Sequence, residues 1–193
     1  MLLAVAVYNR LFIYVGFNGM TQMRIVGVFG ITAVLVGFIV VLVKIAKNHS
    51  FGWLIRRQLW TLSISVYVFS LVPLDTIVVR YNVLRILKGD LAPSVQISVH
   101  PINAEGVALL RPLVQCSDEI ISAGIAAMLA EREQLAVDQA AIQQRDGWTA
   151  YQTADAWVLR ELRSHRNDWA RYRDPSRQKN ALKAFHEYVY QWY

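Results

Sequence analysis

The sequence predicts an all-α protein: a two-span transmembrane helical hairpin followed by a small helical tail domain. Of its 193 residues, 55% are hydrophobic, and the mean hydropathy is +0.29, more apolar than one soluble domain of this size ordinarily is. Two long apolar runs, 25–43 and 59–79, stand close together. The net charge of +6 arises entirely before Asp75, where Arg10, Arg24, Lys44, Lys47, Arg56 and Arg57 occur without a single acid, while the remaining fourteen bases balance fourteen acids. Cations that flank apolar helices fit a membrane protein, and a neutral remainder argues against a nucleic-acid surface. The expected partner is therefore the lipid bilayer, with no nucleic acid.

The first run, Ile25 to Val43, has 19 uncharged residues between Arg24 and Lys44. At 1.5 Å per residue it extends roughly 28 Å, close to the hydrocarbon thickness of a bilayer. Gly30, Ala33 and Gly37 share one face of it and permit close helix approach. The second run, Leu59 to Val79, holds one charge, Asp75, with Trp53 and Trp60 at its start and Tyr81 past its end, as interfacial aromatics sit. Pro73 is expected to bend it. An acid near hydrocarbon is costly, so Asp75, together with Arg80, is the candidate intramembrane functional residue. It reads either as part of a proton or ion relay or as an interfacial acid paired with Arg80. The flanking charges Arg24, Lys44, Lys47, Arg56 and Arg57 set the orientation. A short basic loop over 44–57 stays cytoplasmic, which places the tail outside the cytoplasm.

These features divide the chain into four parts. Residues 1–24 read as the end of an upstream helix plus an interfacial segment, and 25–79 as the two spans. Residues 80–103 read as a juxtamembrane segment and linker, and 104–193 as the helical tail. The start, Met1 to Val7, has neither the positive region nor the cleavage site of a signal peptide. The expectation is a start inside a longer, polytopic protein.

Between Arg10 and Arg24 the residues Arg10-Leu11-Phe12-Ile13-Tyr14-Val15 precede Gly19-Met20-Thr21, and Asp75 and Arg80-Tyr81-Asn82 follow the next span. This pattern resembles an uncharacterised bacterial family of polytopic membrane proteins, domain of unknown function 4173. Glu105, Gly106, Leu110, Leu113, Trp148 and Tyr151 loosely match its C-terminal helices, whereas Pro73-Leu74-Asp75 departs from that family's adjacent Pro and Asp. The resemblance implies a multi-pass protein of the cytoplasmic membrane and no assigned activity.

In the tail, Val95, Ile97 and Val99 alternate with polar residues, which predicts an extended linker. Asn103 is expected to cap a helix through Val114, and Ser117 with Asp118 and Glu119 to start a long one reaching Gln144. Its apolar stripe would be Ile121, Ile125, Met128, Leu135 and Ile142. Gly147 ends that pattern, and Tyr151, Ala154, Val158 and Leu162 form the next face. Asp174-Pro175 opens a last helix carrying Leu182, Phe185, Val189 and Trp192. From Asp118 to Asp146 the balance is −4 and from Asp155 to Lys183 it is +4. The two stretches either pair in a bundle or remain solvated faces. Arg160, Arg163, Arg166, Arg171 and Arg173, interleaved with Trp157, Trp169 and Tyr172, offer an alternative contact with anionic headgroups.

No catalytic, metal or cofactor constellation is legible. His49, His100, His165 and His186 are scattered, and Cys116 is alone. The expected function is non-enzymatic: an interaction, sensor or scaffold module whose tail binds a protein partner, or which pairs with another membrane helix. The alternative is part of a transporter or ion-translocating subunit.

Overall fold

The computed structural model describes residues 2–146 and 153–192. Among them all regular structure is helical, without a strand. The chain divides into two compact units: Met1–Gly16 with Thr21–Leu74, and Phe17–Met20 with Asp75–Tyr193.

The first unit is built on α1 (Leu2–Asn18), α2 (Gln22–Ala46) and α3 (Phe51–Leu71). The Thr21 hydroxyl caps α2 by accepting from the Arg24 N–H. At the other end Asn48 takes a left-handed φ of 50°, a conformation Asn tolerates, and the His49 N–H returns to the Lys44 carbonyl at 3.0 Å. The Ser50 hydroxyl then accepts from the Trp53 N–H and starts α3. The connection is therefore only residues 47–50. Lys44 belongs to α2, and Arg56 and Arg57 to α3, so the predicted 44–57 loop is mostly helix.

The second apolar run is not one helix over 59–79. The helix begins at Phe51 and stops at Leu71, because Pro73 crowds the residue before it: Val72 is extended, with φ −80° and ψ 120°. Helices α2 and α3 pack through an edge-to-face pair, Phe29 and Phe69, at 5.3 Å. Gln58 Nε2 donates to the Gly37 carbonyl at 2.9 Å, and the Tyr8 and Thr32 hydroxyls tie α1 to α2 at 2.5 Å. Among the described residues Ile25 is the buried one on α2, and α3 has none. Helix α2 is long and apolar enough to cross a membrane. Helix α3 alone falls short, since Arg56, Arg57 and Gln58 occupy its second turn and leave Leu59–Leu71, about 20 Å, free of charge.

The second unit holds α4 (Leu74–Leu87), α5 (Ser94–Val99), α6 (Ala104–Ala108), α7 (Glu119–Asp146), α8 (Thr153–Ser164) and α9 (Pro175–Val189). Its core is closed around Trp169, Phe185, Leu110, Leu113, Ile121, Ile125 and Leu129. Helix α9 runs antiparallel to α7: Tyr188 meets Asp118, Phe185 meets Gly124, and Gln178 reaches the Ala127 carbonyl. The predicted stripe of α7 is buried at Ile121 and Ile125 but not at Leu135 or Ile142, which are about half exposed. Helix α9 begins opposite the middle of α7 and leaves nothing of itself to cover the far half.

Local expectations fare unevenly. Residues 94–99 are helical rather than extended, with Ser94, Val95, Gln96 and Ile97 all buried. Asn103 precedes α6, which ends at Ala108, and Pro112 sits in a 3-10 turn over Arg111–Gln115. The cap of α7 is Asp118, not Ser117: its Oδ1 accepts from the Ile121 N–H at 2.9 Å. Asp174 caps α9 in the same way through the Arg177 N–H, with Pro175 at the first position. Val158 and Leu162 are buried on α8, while Gly147, Trp148 and Tyr151 lie outside the described residues.

Asp118 does a second job, because the Tyr188 O–H donates to its Oδ2 at 2.8 Å. That hydrogen bond, more than partial burial, holds the Tyr188 phenol above its ordinary pKa of 10.0. A raised folded-state pKa means a contribution that is whole below pH ~10 and lost as pH rises through the folded value. Thermal unfolding followed by near-ultraviolet circular dichroism is expected to weaken more steeply above pH ~10 in the native chain than in Tyr188→Phe.

Candidate functional site

Helix α4 buries Asp75, Val79, Asn82, Val83 and Ile86, spacings of four, three, one and three that keep them on one stripe. Two of the five are polar, which is unusual for a core face and marks this stripe as the place to look.

Asp75 stands in the first turn, where an acid complements the helix dipole. Its Oδ2 accepts from the Asn103 N–H at 3.2 Å, ahead of α6. Helix α6 approaches closely at Gly106: a Cβ there would stand 2.6 Å from Ile102 Cγ2 and 3.2 Å from Val79 Cγ2. Only a residue without a side chain fits. About two turns beyond Asp75, Asn82, 1% exposed, grips both polar groups of one residue. Its Oδ1 accepts from the Met20 N–H at 2.8 Å and its Nδ2 donates to the Met20 carbonyl at 2.9 Å. Gly19 makes room for the grip. It has φ +84°, and a Cβ on it would meet Asn82 Oδ1 at 2.8 Å and Pro93 Cβ at 2.9 Å.

Arg80 is exposed and lies off the buried stripe that carries Asp75. Asp75 to Val79, read from the sequence as the end of a span, belong instead to the helical unit, because Pro73 restarts the chain as α4 and that helix packs inward. The flanking cations sit elsewhere: Arg24 half-buried in the first turns of α2, Lys44 half-buried near its end, Lys47, Arg56 and Arg57 exposed. The Arg57 guanidinium lies 5.6 Å from the Trp53 ring, on which His49 stacks.

A second polar cluster was not legible beforehand. Glu133 on α7 accepts from Trp169 Nε1 at 2.9 Å and from Arg173 Nη2 at 2.9 Å, beside a cleft of about 430 Å³ that Gln178 and Glu131 also line. This is where the acidic helix meets the basic stretch. Trp169 and Tyr172 are consequently buried, and of the aromatics placed among the tail arginines only Trp157 is exposed. Burial also raises the pKa of the Cys116 thiol, which disfavours the reactive thiolate. Among the described residues no group of three or more His, Cys, Asp and Glu is placed to hold a metal. Among the described residues no buried side-chain nitrogen or oxygen lacks a hydrogen-bond partner. Chemically, the α4 stripe is an arrangement for holding backbone, with its amide and carboxylate engaged on Met20 and Asn103.

Residues 1–100 match the family model described as Domain of unknown function (DUF4153). The chain belongs to this family. The number is 4153 where the resemblance of the residues pointed to 4173; both describe an uncharacterised family. The DUF4153 match takes in Gly19, Met20, Asp75, Asn82 and Pro93 and ends before Asn103 and Gly106, so both sides of the Asn82 grip lie within it. No curated protein and no solved structure matches the chain.

Proposed function

We propose that this DUF4153 chain is a non-enzymatic membrane module, in which α2 and α3 form a two-span hairpin and the helical unit presents a binding surface to a protein partner. The observation that carries this reading is the contrast in burial. Along α2 and α3 large apolar side chains face outward, with Val34 at 73% exposure and Leu59, Trp60, Leu62 and Tyr67 near 60%. The unit formed by α4 to α9 closes its own core. Soluble monomers rarely expose apolar surface on this scale, whereas lipid is its natural solvent. Helix α3 spans if its whole length is used, 21 residues or about 31 Å, with Arg56 and Arg57 extending to the headgroups. The setting is a bacterial cytoplasmic membrane in a polytopic arrangement. The turn after Lys44 lies on the cytoplasmic side and the helical unit opposite.

Two measurements test this. The chain is expected to sediment with membranes and to leave them with detergent but not with alkaline carbonate; recovery in the soluble fraction overturns the membrane reading. In a Cys116→Ser background, Asn180→Cys is expected to react with an impermeant maleimide on intact cells and Lys47→Cys only after lysis. The reverse pattern overturns the orientation.

A further inference from the structure

A groove of about 690 Å³ runs between α2 and α3, walled by Phe38, Val41, Phe51 and Leu59 among others. Two polar side chains line it, and both bond to helix carbonyls: Gln58 Nε2 donates to the Gly37 carbonyl and Thr61 Oγ1 to the Arg57 carbonyl. The rest of its wall is hydrocarbon. A gap of this kind, facing lipid, forfeits dispersion contacts unless something fills it. A second helix is a poor fit. Close helix packing in membranes uses a run of small residues at the contact, and here Ala33 and Gly37 on α2 stand among Phe38, Phe51, Leu59 and Leu62, which keep the walls bulky.

Cations stand at one end of the same groove. Lys44 lies one turn beyond Val41 on the groove face of α2, and Lys47 follows as its C-cap. Arg57 starts between Leu54 and Thr61, which line the groove on α3, and its guanidinium reaches back over the Trp53 ring toward that end. The stretch 44–57 has four bases and no acid. A hydrocarbon slot that ends in an acid-free cluster of cations is complementary to one molecule class, an acyl chain carrying a negative headgroup.

We infer that the α2–α3 hairpin holds an anionic phospholipid, its acyl chain in the groove and its headgroup on Lys44, Lys47 and Arg57. This rests on the reading that α2 and α3 lie in a bilayer, and goes beyond it by assigning a lipid site and its headgroup charge.

The full chain, reconstituted in nanodiscs of equal phosphatidylglycerol and phosphatidylcholine, is released into mild detergent, and the retained lipid is weighed by native mass spectrometry. Phosphatidylglycerol is expected as a one-to-one adduct, favoured roughly tenfold or more over phosphatidylcholine, as three nearby cations would give. The triple variant K44Q/K47Q/R57Q is expected to lose that preference. Val34→Trp, whose added bulk enters the groove from a mostly exposed position, is expected to lose the adduct of both lipids. Equal retention of the two lipids by the native chain overturns the inference, as does an adduct that survives Val34→Trp, while insertion itself still supports the membrane reading. Efficient disulfide cross-linking of two chains through Leu62→Cys also overturns it, since a second copy would then occupy the groove. Failure to enter nanodiscs at all overturns both readings together.

Discussion

Replacing Gly124 with valine is expected to lower the unfolding temperature of the helical unit by about 10 °C, the largest effect of any single substitution considered. Helices α7 and α9 approach so closely at this point that a Cβ on Gly124 would lie 2.3 Å from Cβ and Cγ of Phe185. Those are atoms near the backbone of a side chain that is 1% exposed, so no far end of a flexible group can swing aside. The helices must separate, and contacts on both sides of Phe185 are lost with them. The expected cost is about 3 kcal/mol or more. Phe185→Ala alone costs about as much by leaving a cavity. The double variant Gly124→Val with Phe185→Ala is expected to recover part of the summed losses, because Cγ and the ring are removed and the valine methyls enter their space, while the contact with the Cβ at position 185 remains. A double-mutant cycle by thermal unfolding in detergent reads this coupling directly, and additive losses would disprove the contact.

Asn82→Leu is expected to cost about 2 to 4 kcal/mol. The substitution keeps the branched skeleton, with bulkier ends, but leaves the Met20 N–H and carbonyl without the amide that satisfies them. An unpaired donor and acceptor each carry a desolvation penalty larger than the bond they lose. Gly19→Ala is expected to act on the same contact from the other side, through the strain of φ +84° and the collision with Asn82 and Pro93. Hydrogen exchange at the Met20 amide is the specific readout. It should accelerate in both variants while amides in the middle of α7 change little, and protection that persists at Met20 in Asn82→Leu would exclude the grip.

The helical character of this chain is legible because its segments repeat apolar residues at helical spacing and carry caps in the sequence, as Asp174-Pro175 does. Boundaries slip where two capping residues stand together, and Ser117 and Asp118 differ by one position. The end of α3 is written in Pro73, yet the change of surroundings across it is not. Val79, buried in the helical unit, looks like a membrane residue because Val serves lipid and protein core equally well. Residues 94–99 alternate apolar and polar over too short a run to separate a strand from a turn and a half of helix buried on both polar and apolar positions at Ser94–Ile97. Leu135 and Ile142 continue a stripe that is real for Ile121 and Ile125; whether a stripe is covered depends on where α9 starts, which periodicity along α7 does not encode. Asn82 is visible only as a polar residue in an otherwise apolar register. Its partner Met20 is 62 positions away, and no local pattern links the two.

That distance has a bearing on how the protein is made. The loop that Asn82 secures leaves the ribosome before Asn82 itself, and Phe185, buried in the core of the same unit, follows later still. At translation rates of roughly 5 to 20 residues per second, Met20 waits several seconds or more for its anchor. During that interval the hydrophobic segments that follow it must already be shielded. On the membrane reading proposed above, delivery of α2 and α3 to an insertion machinery would come before α7 to α9 are made.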